Sequence, residues 1–187
     1  GLRAVAAHER IEGLRRDASA VAARLRALGC PRVLVPAMPE EDRRTVADVR
    51  RFAAELGVLA RILGDHGLRL GHHNHDYEFA PLEGTTAWQV LLDELPPEVE
   101  LELDVYWVAV AGRDPVAEIH AAADRLRMLH VKDLAPGSEP REVPAGAGTL
   151  DIPAIVEAGR TAGVDWYVTE QVESANPLRD IASAARY

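Results

Sequence analysis

An α/β fold with a parallel sheet, a (β/α) barrel holding six of the usual eight units, is what this sequence predicts. Three observations lead there. Short apolar runs of strand character alternate with stretches of helical period six times over, the pattern of parallel βαβ architecture. The 187 residues spread over six units give about 31 each, the same share as a barrel of about 250 residues spread over eight. No internal repeat and no linker divides the chain, so a single domain over residues 1–187 is expected, lacking two βα units at its start.

Each element has its own signal. Arg3–His8 reads as a short strand ending in a polar residue. Leu14, Ala18, Val21, Ala22, Leu25 and Leu28 then share one helical face, and Gly29 is a natural stop. Pro31–Pro36 is a second strand bracketed by prolines. Thr45 with Asp48 resembles a capping box, and Val46, Val49, Phe52, Ala53, Leu56, Leu59 and Leu63 keep helical spacing from there to about Gly67. The strand beginning at Leu68 carries Leu68 and Leu70 on one face and Gly71, His73 and His75 on the other. A helix around Trp88–Leu95 leads to strict alternation over 98–107, with Glu100, Glu102 and Asp104 on the face opposite the valines and leucines. Asp114-Pro115 opens the next helix as N-cap and first turn. Arg125–Asp133 is a strand with His130 on the face of Met128. Residues 134–150 form a long loop rich in Pro and Gly, and such loops in compact domains are usually functional. Asp151 caps a helix ending near Gly163, Val164–Glu170 is the last strand, and a final helix begins at Asn176-Pro177.

Composition narrows the function classes. Hydrophobic residues make up 48% of the chain, as in a globular protein. The net charge of −9 argues against a nucleic-acid surface and suits cation binding. Cys30 is the single cysteine, which excludes an intrachain disulfide and a cysteine-rich zinc site and fits a reducing compartment. No apolar run reaches the roughly 18 residues of a membrane span. No signal peptide is visible, so a cytoplasmic protein without a membrane partner is expected. Of the 21 basic residues only Lys132 is lysine, two positions after His130. Arginine cannot replace lysine where a compact, titratable ammonium is needed.

Four consecutive predicted strands end in His73/His75, Asp104, His130 and Glu170. Carboxylates and imidazoles are the usual ligands of divalent ions such as Mn²⁺, Zn²⁺, Mg²⁺ or Co²⁺. A barrel gathers the C-terminal ends of its strands on one rim, so residues distant in sequence are expected to form one site.

The chain also resembles the sugar phosphate isomerase/epimerase family, the xylose-isomerase-like TIM barrels. The resemblance rests on His73-Asn74-His75-Asp76-Tyr77-Glu78-Phe79, Glu102-Leu103-Asp104-Val105-Tyr106-Trp107 and His130-Val131-Lys132-Asp133. It continues through Gly146-Ala147-Gly148-Thr149-Leu150-Asp151 and Trp166-Tyr167-Val168-Thr169-Glu170-Gln171. The first half matches more loosely, through Ala7-His8 and the Val33–Pro36 strand. The resemblance implies that the six strands are the third to eighth of a barrel, and that His73, Asp104, His130 and Glu170 bind a divalent metal. Many relatives have a glutamate at the first of these positions that doubles as catalytic base; here it is His73, and Glu78 is the replacement expected.

The leading expectation is a metal-dependent isomerase or epimerase of a small sugar or keto-sugar, working by proton abstraction through an enediolate. Glu78 or Glu170 is the expected base, and Lys132 or His75 the donor to oxygen. His8, Trp107 and Tyr106 are the expected substrate contacts. The alternatives are a keto-sugar dehydratase or lyase of the same superfamily and a non-catalytic sugar-binding assembly protein. Six units cannot close an eight-stranded barrel, so the terminal strands are expected to be open edges through which the chain self-associates.

Overall fold

The computed structural model describes residues 1–170 and 174–186; Gln171, which closes the last sequence motif, lies outside them. The chain packs as two compact units, Gly1–Leu101 and Glu102–Tyr187. Six parallel strands form the sheet, as in six βα units of a TIM barrel.

In the first unit, strand β1 (Ala7–His8) leads into helix α1 (Ile11–Ala27). The expected apolar stripe buries Ile11, Leu14, Ala18, Val21, Ala22 and Leu25. The helix is not continuous: Asp17 leaves helical geometry, and its side chain accepts a hydrogen bond from the Ala20 amide, which starts the helix anew. Gly29 ends it at φ 66°, a conformation that costs glycine little. Strand β2 (Arg32–Val35) is buried throughout. Helix α2 (Val46–Asp65) opens on the expected cap: Thr45 Oγ1 accepts from the Asp48 amide and donates to the Asp48 carboxylate. Strand β3 (Arg69–His73) pairs in parallel with β2, and β2 with β1.

A hairpin that the sequence did not announce follows, strands β4 (Pro81–Leu82) and β5 (Thr85–Thr86). Its turn residues Glu83 and Gly84 both have positive φ, the turn geometry that suits a two-residue hairpin. Glu83 also accepts from the Val46 amide and so helps cap α2. Helix α3 (Ala87–Glu94) is capped by Thr86 and leads to β6 (Val99–Asp104), which lies next to β3. Gly71 on β3 allows this approach, because a Cβ there would stand 3.0 Å from the Glu100 carbonyl oxygen. Of the three acidic residues alternating on β6, Glu100 binds Arg32 and Arg69, the first residues of β2 and β3. It is thus a tie among strand beginnings, while Asp104 stands at the strand's end.

In the second unit the alternation predicted to run on through Trp107 breaks at Asp104. The Asp104 carboxylate accepts from the amides of Tyr106 and Trp107 and starts helix α4 (Val105–Val110). An N-cap aspartate there overrides the strand preference of Val, Tyr and Trp. Helix α5 (Pro115–Ala122) has the expected Asp114 cap, and β7 (Leu126–His130) follows. The long loop contains a second unannounced hairpin, β8 (Asp133–Leu134) with β9 (Glu142–Val143). Helix α6 (Ile152–Thr161), strand β10 (Trp166–Val168) and helix α7 (Pro177–Ala184) complete the unit, with β10 parallel to β7. No helix among the described residues is long and apolar enough to cross a membrane.

Candidate active site

The first unit places the histidine-rich stretch at the end of β3. His72 follows the alternation onto the apolar face, where its ring meets Phe52 of α2 edge-on at 5.5 Å. Its Nε2 lies 3.2 Å from Oε1 of Glu78, and the other Glu78 oxygen accepts from the His75 amide at 2.8 Å. Glu78 is 0% exposed. Burial and two protein partners make Glu78 a clamp of the 74–78 turn.

His73 stands on the other side of the strand, with the rings of His8 and His75 each 5.1 Å away. The His75 ring stacks on Tyr77 at 5.3 Å and 8°. Arg43 covers the Tyr77 ring at 3.9 Å, and the Tyr77 hydroxyl accepts from the Met38 amide. Burial, and next the charge of Glu78, push the Tyr77 phenol well above its ordinary pKa, so it stays protonated. A phenol that accepts from Met38 and keeps its proton can donate to His75 Nδ1, 3.4 Å away.

The second unit brings together Asp104 from the end of β6, His130 from the end of β7 and Glu170 from just beyond β10, with Lys132 among them. Lys132 Nζ lies 2.9 Å from Glu170 Oε2 and 3.1 Å from Asp104 Oδ2. His130 Nδ1 lies 3.4 Å from Asp104 Oδ2 and 3.9 Å from Glu170 Oε2. Asp104 is 0% exposed, whereas the Glu170 side chain is 44% exposed. Burial pulls the Lys132 pKa down, but Asp104 and Glu170 outweigh it and the net shift is upward. For His130 burial is again the largest influence and is outweighed, by the Asp104 hydrogen bond and the charge of Glu102.

Two residues of this unit were given no role from the sequence alone. Glu142 on β9 reaches within 3.9 Å of Lys132 Nζ, the third carboxylate around that ammonium. Asp133 is fully buried and accepts four backbone N–H bonds, from Leu134, Gly146, Gly148 and Leu150. It ties the Gly-rich loop to the strand end that carries Lys132. A Cβ on Gly148 would stand 2.3 Å from the Asp133 carboxylate, so only glycine fits. Gly146 and Gly148 were the available signal, since a backbone that wraps a carboxylate this closely needs small residues.

Of the expected substrate contacts, His8 is exposed at the end of β1 and Trp107 is half-buried in the first turn of α4. Tyr106 is 5% exposed and packs in the core of the second unit, edge-on to Trp107 at 5.0 Å. The helical turn set by Asp104 sends it inward.

The donor set of the second unit suits a divalent ion. Ligand atoms about 2.1 Å from a metal lie about 3–4 Å from one another, and the separations of His130 Nδ1 from the two carboxylate oxygens, 3.4 and 3.9 Å, fall in that range. The Lys132 ammonium already bridges those two carboxylates, which shows that they accept positive charge.

Residues 2–187 match the xylose isomerase-like TIM barrel family. No curated protein matches the chain. A sugar phosphate isomerase/epimerase from Parabacteroides distasonis superposes with a TM-score of 0.86 at 21% identity, covering 100% of this chain and 70% of that one. The IolI protein, solved with a zinc atom, gives 0.76 at 15% identity over 98% of this chain and 74% of its own. The 3-keto-D-glucoside 4-epimerase of E. coli gives 0.69 at 18% identity over 100% and 80%. At these identities the likeness is one of fold.

Proposed function

Since this chain belongs to the xylose isomerase-like TIM barrel family, we propose that it is a divalent-metal-dependent isomerase or epimerase of a small sugar or keto-sugar. The observation that carries the reading is the second unit's cluster: two carboxylates and an imidazole from three strand ends, around the chain's single lysine. Asp104, His130 and Glu170 are the proposed ligands. A bound divalent ion supplies Lewis-acid polarisation of a neighbouring carbonyl and hydroxyl pair.

Glu170, the most exposed of the cluster's carboxylates, takes the proton from the carbon between those oxygens. Lys132 donates to the oxygen on which negative charge grows. Protonation of the same carbon from its opposite face gives an epimer, and return of the proton from Glu170 to the adjacent carbon gives an isomer. Such proton transfer by a placed side chain is worth roughly 10²–10⁴ in rate. Trp107 is the proposed contact for the rest of the sugar.

The test combines metal content with product mass. Wild-type protein loaded with Mn²⁺, Zn²⁺, Mg²⁺ or Co²⁺ should retain one ion through desalting, and Asp104→Ala should retain none. Turnover of keto-sugars should conserve mass. Loss of the mass of one water would assign the dehydratase alternative, and bound sugar without turnover would assign a binding protein. Unchanged metal content in Asp104→Ala would remove the ligand assignment. The proposal includes self-association, because among the described residues β1 hydrogen-bonds only to β2 and β10 only to β7. A concentration-independent monomer in light scattering would remove that part alone.

A further inference from the structure

Beside the carboxylate cluster the second unit holds a polar cavity of about 560 Å³, lined among others by Arg141, Glu142, Arg179, Asp180, Ser183 and Arg186. Its charges do not cancel internally. Asp180 is already matched: it binds the Arg179 guanidinium at 2.9 Å and accepts from the Ser174 hydroxyl at 2.6 Å. Glu142 faces Lys132 at 3.9 Å. Arg141 and Arg186 remain, with no acidic partner among the described residues. Two unmatched guanidinium groups in a polar hollow of a chain with net charge −9 are the reverse of what its average surface offers. Guanidinium presents a planar fork of donors that fits phosphate and carboxylate, and loses less on partial desolvation than an ammonium.

Position gives the cavity its meaning. Glu142 is part of its wall and also one of the three carboxylates around Lys132, so the cavity and the Asp104–His130–Lys132–Glu170 cluster share a side chain. The β8–β9 hairpin that carries Glu142 begins at Asp133, whose four backbone bonds fix the adjoining loop. The wall between the two is therefore held from within the fold.

We propose that this cavity binds an anionic group, a phosphate or a carboxylate, belonging to the substrate of the neighbouring cluster, with Arg141 and Arg186 as its principal donors. That the anion belongs to a substrate rests on the function proposed above; that the cavity binds an anion does not.

Inorganic phosphate is the probe, titrated into the full chain at low ionic strength with chelator present and followed by calorimetry and by ³¹P line broadening. Neither metal nor turnover enters this measurement, so its failure leaves the metal reading standing, and loss of the metal reading leaves this result standing. Wild type should bind one phosphate saturably. The Arg141→Gln/Arg186→Gln double variant should bind about fivefold or more weakly. Arg50→Gln, which removes an exposed charge paired with Glu94 on the first unit, should bind as wild type does. Absence of saturable binding below about 10 mM, or equal weakening in Arg50→Gln, overturns the proposal. Displacement of the bound phosphate by a hexose phosphate, by a hexuronate or by both identifies the source of the anion and supports it. Displacement by neither overturns its substrate half. Both arginines are exposed, so circular dichroism should confirm that the double variant folds.

Discussion

The two polar clusters of this molecule use the same residue types and differ in how their charges are closed. In the first unit Glu78 is sealed: His72 takes one oxygen, the His75 amide takes the other, and the carboxylate has no exposed surface. In the second unit Asp104, Glu142 and Glu170 surround a single ammonium and one imidazole, and Glu170 reaches solvent. A cluster whose valences are filled by the protein serves the fold. A cluster with more carboxylates than cations and an exposed member has capacity left for a ligand. Glutamate and histidine in one motif do not separate these cases; burial and partner count do.

The sharpest way to break the comparison is to remove one carboxylate from each cluster. Glu78→Ala should destabilise the protein by about 3–5 kcal/mol, because His72 is left buried without its carboxylate. Folded Glu78→Ala protein should still bind the metal through Asp104, His130 and Glu170. Asp104→Ala should do the opposite, losing metal while costing about 0.5–2 kcal/mol through the cap of α4. Urea melts beside metal titrations read both. Metal loss in the Glu78 variant with little change in stability would dissolve the distinction.

Asp133 tests whether the second unit also has a sealed part. Replacing it with alanine leaves four buried or half-buried amides without their acceptor. We expect a cost of about 2–4 kcal/mol and faster amide exchange at Gly146, Gly148 and Leu150. Protection unchanged at those three amides would show that the loop holds itself. Lys132→Met probes the open part. The ammonium competes with any metal for Asp104 and Glu170, so its removal should tighten divalent-ion binding by about tenfold while lowering turnover. Weaker metal binding in Lys132→Met would mean that the lysine organises the site rather than occupying it.

What the sequence showed follows from what is local. Helical stripes, the Thr45 and Asp114 caps and the alternation of β6 up to Asp104 are written within a few residues, and all were legible. The break after Asp104 was hidden because Val105, Tyr106 and Trp107 favour strand, while the cap that overrides them depends on where the aspartate points. The bond from His72 to Glu78 spans six positions, a spacing that belongs to neither helix nor strand, so it left no sign in the sequence. Asp133 finds three of its four donors 13 to 17 residues on. Glu142 reaches the lysine only because an unannounced hairpin folds back.

The smallest effect concerns His130 and proton linkage. Burial alone would lower its pKa, but the Asp104 hydrogen bond and the Glu102 and Asp104 charges raise it above the ordinary 6.5 in the folded, metal-free protein. A group whose pKa is raised on folding adds stability that is complete below the unfolded value and fades as pH rises through the folded value. Metal-free wild type should therefore gain stability between pH 8 and pH 6 relative to His130→Asn, which cannot take up the proton. Bound metal reverses the sign, since a ligating imidazole must stay deprotonated and acid then expels the ion. Urea melts at the two pH values, with chelator and with metal, should thus give slopes of opposite sign in wild type and a flatter response in His130→Asn. An identical pH response in the two proteins without metal would show that His130 exchanges no proton with the cluster on folding, and the open, charge-rich character assigned to the second unit would lose its imidazole.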